Sequence, residues 1–156
     1  MQTQQFDTLI IGFGKGGKTL AAFLGNKGQK VAVVERSKEM YGGTCINIAC
    51  IPTKSLVLSA EHAASHHPST YEEKQAYYRN AIEEKQRLVT TLRQKNYDLL
   101  QTNPHIRVVD GLASFVAPHE VQVVLSDTQD VFQIRAEKII ISTGTEPFIP
   151  QIPGLE

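Results

Sequence analysis

Apolar and polar positions divide the chain into three blocks with different periods. The first holds two short unbroken apolar runs, Phe6 to Ile11 and Lys30-Val-Ala-Val-Val-Glu35, each the length of a strand covered on both faces. Between them Leu20, Ala21 and Leu24 recur at helical spacing, and Gly28 follows as a helix stop. The pattern predicts a β-α-β unit.

In the second block the period is helical throughout. After a polar connection from Ser37 to Tyr41, one helix is predicted from Thr44 through Lys54, continuing with Leu56, Val57 and Ala60 and fading by His66-His67-Pro68. A second runs from Tyr71 to Thr102, where Tyr78, Ile82, Val89, Leu92 and Leu99 form a stripe interrupted by Lys85 and Asn96. This stripe predicts packing against the preceding helix as an antiparallel hairpin over about residues 44–103; a partner-binding coiled coil is its other use. Asn103-Pro104 ends the helix.

The third block switches to strands. Ile106–Val109, Ala113–Val116, Val121–Leu125 and Val131–Ile134 are separated by Gly, Pro-His and Ser-Asp-Thr turn signals, which predicts an antiparallel meander over about residues 106–135. Lys138-Ile-Ile-Ile-Ser-Thr-Gly144 then returns as an apolar strand suited to the centre of a parallel sheet.

Composition narrows the function classes. With 156 residues the chain has the size of one domain, and its 16 Lys and Arg balance 16 Asp and Glu. That balance gives no electrostatic case for nucleic acid or an acidic membrane surface. The apolar runs fall far short of a membrane span, and the polar start Met-Gln-Thr-Gln-Gln-Phe-Asp does not read as a signal peptide, so a cytoplasmic location is expected.

Chemistry concentrates in Gly42-Gly-Thr-Cys-Ile-Asn-Ile-Ala-Cys-Ile-Pro-Thr-Lys54, which contains both cysteines of the chain. A structural disulfide between Cys45 and Cys50 would close a very short loop, zinc would need a second ligand pair, and two inert thiols would not need these flanks. No metal is expected. His66 and His67 are adjacent and face different sides of a helix, while His62, His105 and His119 read as surface residues. Thr44 is positioned to cap the helix, and a helix N-terminus lowers a thiol pKa, so Cys45 is expected to hold extra thiolate. A bridge to Cys50, somewhat over one turn away, requires local distortion, and a strained bridge is easier to reduce. The pair reads as redox-active.

Gly12-Phe-Gly14-Lys-Gly16-Gly17 supplies a Gly-x-Gly-x-x-Gly between strand and helix, with Glu35 at the end of the next strand. Gly12 permits a tight turn, Gly14 a close approach of backbone to a pyrophosphate, and Gly17 close packing of helix on strand. Phosphates would rest on the helix N-terminus, and Glu35 would accept hydrogen bonds from ribose hydroxyls.

The Gly-Gly-Thr-Cys-x-Asn-x-x-Cys-x-Pro-x-Lys segment resembles the active site of the flavin-dependent disulfide reductases, the family of glutathione reductase, lipoamide dehydrogenase and mercuric reductase. The resemblance implies FAD on the first β-α-β unit, Cys50 against the flavin as charge-transfer thiol, Cys45 as interchange thiol, and Lys54 near the reactive flavin nitrogen. It also places the turn at Gly43 and Thr44 at the cofactor, the backbone around Ala113 at the adenine, and Ser142-Thr143-Gly144 at a second flavin contact. Ala49 stands where the family usually has Gly, and Ser142 where it has Ala. The expected fold is thus α/β: a Rossmann-like FAD-binding domain with parallel sheet, helical hairpin insertion and antiparallel β-meander, in three layers (β/β/α).

Resemblance covers all of residues 1–156 but about the first third of a family protein. It implies an NAD(P)H domain and a dimerisation domain outside this chain, a homodimer as the complete form, and no turnover by these residues alone. Ile11-Gly-Phe-Gly-Lys-Gly-Gly-Lys-Thr-Leu-Ala21 and Met40-Tyr-Gly-Gly-Thr-Cys45 resemble the bacterial reactive-chlorine-resistance branch that reduces hypothiocyanous acid. Substrates of the other branches, lipoamide and Hg²⁺, are the alternatives within the family. A redox-sensing flavin- or nucleotide-binding module without catalysis is the alternative outside it.

Overall fold

A computed structural model describes residues 3–146 and 148–155; Met1, Gln2 and Glu156, the ends of the expected 1–156 unit, lie outside the described residues. The first block folds as β1 (Thr3–Ile11), α1 (Lys15–Asn26) and β2 (Val31–Glu35), with β1 and β2 parallel from Thr8 opposite Val31 to Ile11 opposite Val34. Every residue of β2 is buried, because both faces of the sheet are covered.

Two cores meet across these strands. Leu9, Ala32 and Val34 point to one side and pack with Val109, Val121, Val123, Phe132 and Ile134. Ile10, Val31 and Val33 point to the other and pack with Phe13, Ala21, Tyr41, Leu100 and Ile106. The alternation of a strand, with a two-residue period, is thereby used on both faces. Helices form one outer layer and an antiparallel β-layer the other.

That β-layer is the expected antiparallel meander, with β3 paired to β4 and β4 to β5, but its strands are fewer and longer than expected. The four short strands and the separate return strand are instead three: β3 (Ile106–Ala117), β4 (Glu120–Leu125) and β5 (Val131–Ile141). β3 begins parallel to β2 and ends antiparallel to β4, while β5 pairs antiparallel with β4 and parallel with β1, so the order β1-β2-β3-β4-β5 closes on itself. Gly111, read as a turn, lies inside β3 because a Cβ there would come 2.6 Å from the carbonyl oxygen of Val124. The glycine marks a close crossing of strands rather than a chain reversal.

The helical block also departs in two places. The single helix expected from Thr44 is two, α2 (Thr44–Asn47) and α3 (Cys50–Ser65), broken at Ile48 and Ala49. Ile48 and Ala49 both donate their N–H groups to Thr44 O at 2.9 Å, which uses up that acceptor and leaves the regular ladder interrupted. Thr44 does not cap. Gly43 occupies the N-cap at φ +79°, with no side-chain capping bond.

α4 (Tyr71–Gln101) starts in a capping box: Thr70 Oγ1 accepts from the Glu73 N–H, and the Glu73 carboxylate accepts from the Thr70 N–H. Its N-terminal half lies antiparallel on α3, with Tyr77 beside His62 and His66. The buried face carries Val89, Asn96 and Leu100, whereas Tyr78 and Leu99 of the expected stripe are 67% and 58% exposed. Asn96, read as an interruption, faces inward because the C-terminal half of the helix packs on α1 and the dithiol segment. Among the described residues no helix is long and apolar enough to cross a membrane.

Candidate active site

The glycine turn is shaped by backbone contact. After β1, Gly12 takes φ +106° and donates its N–H to Val34 O at 2.8 Å, while Ser142 at the end of β5 donates to Ile11 O at 2.7 Å. A Cβ on Gly12 would fall 2.3 Å from Ser142 O, and one on Gly17 would fall 2.5 Å from Gly12 O. Only glycine fits these two positions. Gly14 is different: it is extended (φ −70°, ψ 176°), and the nearest atom to an added Cβ is 3.8 Å away. It opens α1, whose first turn has neither a side-chain cap nor an acidic residue, so the unsatisfied N–H groups and the positive end of the dipole are left to an anion.

Glu35 ends β2 with its carboxylate buried against this turn. One oxygen accepts from the Phe13 N–H at 2.8 Å and the other from the Ser37 N–H at 3.2 Å. A carboxylate has about four acceptor positions, so two remain for a ligand hydroxyl. Glu35 lines a cavity of about 450 Å³ together with Gly12, Ala113, Thr143 and Gly144. Arg36 and Glu146 at its edge are ion-paired, which raises the Arg36 pKa. Five residues singled out from sequence therefore share one cavity, although they come from four separate stretches of chain. Gly14 and Gly17 adjoin it; Gly43, Thr44, Lys54 and the cysteines do not line it.

The dithiol segment lies directly on the same turn. Gly42 donates its N–H to Phe13 O at 3.0 Å, and a Cβ on Gly43 would sit 2.8 Å from Gly14 Cα. Positive φ values of +91° and +79° at Gly42 and Gly43 make that approach possible. Three residues that the sequence reading left out fix the segment. Asn47 donates from Nδ2 to Tyr41 O and Gly43 O and accepts from Arg93 Nε at 2.9 Å. Tyr41 is buried between Phe13 and Tyr97, with ring centroids 4.9 Å from each, and its hydroxyl donates to Asp110. Burial, then the Asp110 carboxylate, pushes the phenol pKa well up, so it stays a donor. Asn96 donates to Leu92 O at 2.6 Å and accepts from Lys18 Nζ, tying α4 to α1. Asn47 was legible as a fixed position of the motif. Tyr41 and Asn96 had no local signal, since their partners are 69 and 78 positions away.

Cys45 is half-buried in α2, and Cys50 is exposed at the start of α3, both as thiols. The expectation of extra thiolate on Cys45 is corrected. Its pKa is raised, first by hydrogen bonding with the Cys50 thiol and then by burial, with Lys15 pulling weakly the other way. α2 has only four residues, too short a dipole to outweigh a neighbouring thiol. Lys54 follows Cys50 by one turn on the same face of α3 and is exposed. The helix break at Ile48 and Ala49 supplies the local distortion that a bridge requires.

These features define a Rossmann-like FAD-binding fold carrying a thiol pair against its phosphate-type turn. The chain belongs to the pyridine nucleotide-disulphide oxidoreductase family, which it matches over residues 6–156. It is 43% identical over 151 residues to the probable pyridine nucleotide-disulfide oxidoreductase RclA of Escherichia coli, covering 97% of this chain and 31% of that protein. A mercuric reductase of Streptomyces lividans is 34% identical over 157 residues, covering 97% of this chain and 32% of the relative. The solved Cu(II) complex of the HOCl-induced flavoprotein disulfide reductase RclA from Escherichia coli superposes with a TM-score of 0.82 at 41% identity, over 97% of this chain and 31% of that one. The chain thus spans about a third of the length of these relatives.

Proposed function

We propose that these residues form the flavin-holding part of an NAD(P)H oxidoreductase in which Cys45 and Cys50 cycle between dithiol and disulfide to reduce hypothiocyanous acid. The observation that carries this reading is the seating of Gly43 on Gly14, which ties the thiol segment to the nucleotide turn. Support for the oxidant comes from the branch-like residues at Ile11–Ala21 and from the similarity to RclA, described as an HOCl-induced reductase.

The residues present fit FAD. Glu35 has acceptor positions free for ribose hydroxyls, the start of α1 is open to a pyrophosphate, and the cavity between Gly12, Ala113 and Gly144 has room for an adenosine. Bound there, FAD supplies the electron pair, drawn from NAD(P)H, that returns the disulfide to the dithiol.

Cys45, as thiolate, attacks the sulfur of hypothiocyanous acid; hydroxide leaves and takes a proton to become water, giving a Cys45 sulfenyl thiocyanate. Cys50 then attacks the Cys45 sulfur, thiocyanate leaves, and the disulfide forms. Two electrons pass from the thiols to the oxidant. Cys45 begins the sequence because the resemblance makes it the interchange thiol, and Lys54, one turn beyond Cys50 on α3, is the lysine the resemblance assigns to the flavin side. The nicotinamide site and the homodimer interface belong to parts of the family protein beyond these residues. A cytoplasmic enzyme acting on a small oxidant, without nucleic acid or membrane, completes the reading.

The test is oxidation of NADH or NADPH by the complete protein with hypothiocyanous acid, lipoamide or Hg²⁺ as oxidant. Turnover with hypothiocyanous acid, lost in Cys45→Ser while flavin absorbance persists, is the expected result. Normal turnover in Cys45→Ser refutes the thiol assignment. Turnover with only lipoamide or Hg²⁺ moves the protein to another branch, and flavin binding without any turnover makes it a redox-sensing module.

A further inference from the structure

The last turns of α3 hold a cluster that the dithiol chemistry does not use. His62 and His66 are four positions apart on one helix face, with ring centroids 4.3 Å apart and planes tilted by 46°. Both side chains are exposed. His66 Nδ1 lies 2.9 Å from His62 O and 3.2 Å from Ser65 Oγ, and because the Ser65 hydroxyl already donates to His62 O at 2.7 Å, the tautomer with the proton on Nδ1 is the one that satisfies both oxygens. Nε2 of His66 is therefore left with its lone pair, as a metal-binding imidazole requires, and the backbone bond holds the ring in place. Tyr77 of α4 backs the pair, with its ring 6.0 Å from His66 and 6.4 Å from His62. His62 and Tyr77 also line a cavity of about 460 Å³ between α3 and α4, with Asn80 and Glu84 on its wall, while His66 stands outside it, exposed to water.

From this geometry we propose that His62 and His66 form a two-imidazole site for a first-row divalent transition-metal ion. Its remaining ligands are water, because among the described residues no group of three or more His, Cys, Asp or Glu side chains is placed to surround a metal ion. Imidazole pairs of this kind favour Ni²⁺, Cu²⁺ and Zn²⁺ over Mg²⁺ and Ca²⁺. The site lies more than three helical turns beyond Cys50, about 18 Å along the α3 axis at 1.5 Å per residue, and is separate from the thiols. Sequence adjacency points to His66 and His67, but His67 has left the helix at φ +50°. The helical repeat selects His62 instead.

Ni²⁺ is the probe, since it suits imidazole and does not oxidise thiols. Titration calorimetry on the Cys45→Ser/Cys50→Ser chain removes the competing sulfurs. We expect one Ni²⁺ per chain, affinity reduced at least about tenfold by His62→Ala and by His66→Ala, and no change with His67→Ala. Circular dichroism checks that α3 stays helical, and His62→Gln, which keeps a good helix former, is expected to lose affinity as His62→Ala does. Affinity unchanged in both His62 and His66 variants, a loss shared equally by His67→Ala, or no stoichiometric binding overturns the proposal.

Discussion

The nucleotide cradle and the helical hairpin are built on opposite terms. In the cradle, Leu9, Ile10, Phe13, Val31 and Val33 are fully buried, and glycines meet backbone at distances that leave no space for one more carbon. In the hairpin, Val57, Leu58 and Tyr78 are 53%, 68% and 67% exposed, and Pro52 is the only buried residue of α3 among those described. The rigid half fixes where a cofactor can lie. The looser half carries the sulfurs and is fastened to it at a few points: Gly42 and Gly43 on the turn, Tyr41 in the core, Asn96 against Lys18. A substitution in the cradle should therefore be read out in stability, and one at the thiols in reactivity.

The largest effect should come from Gly12→Ala. Its Cβ would fall 2.3 Å from Ser142 O at a φ of +106°, so overpacking and backbone strain add to a loss of roughly 3 kcal/mol in urea unfolding. Gly14→Ala, where the space is open, should cost under about 1 kcal/mol. Equal costs at the two glycines would erase the contrast between a packing glycine and a ligand-facing one.

Next is Tyr41→Phe, which keeps the stacked ring but removes the bond to the Asp110 carboxylate. A hydrogen bond to a charged partner is worth about 2 kcal/mol, and urea unfolding should show a loss of that order. A cost near zero would mean that the stacked rings, and not the bond to Asp110, seat Tyr41 in the core.

The smallest effect concerns reactivity alone. Because the Cys50 thiol and burial raise the Cys45 pKa, less thiolate is present at neutral pH, and alkylation of Cys45 by iodoacetamide should keep rising through the alkaline range beyond an ordinary thiol near about 8.5. Cys50→Ala removes the largest raising cause, so the midpoint should move to lower pH, with unfolding changed little. A midpoint that stays in place or moves up would show that Cys50 is not what holds the proton on Cys45.

The difference between the two halves also explains what could be read without coordinates. The β-α-β unit from Phe6 to Glu35, the two glycine motifs and the long helix ending at Asn103-Pro104 follow from contacts between near neighbours: a strand's alternation, a helix's repeat, a turn that needs positive φ. The cysteine motif was equally plain, since its residue types and spacing lie within thirteen consecutive positions. Tertiary structure decided the rest. Gly111 looks like a turn until Val124 is brought against it, Asn96 looks like a break until Lys18 and Gly42 meet it, and the proton on Cys45 depends on where a helix break sets Cys50. Local sequence carries periods and backbone permissions. Which atoms are forced together across the sheet, and which polar groups must then be satisfied there, is settled only when distant segments pack.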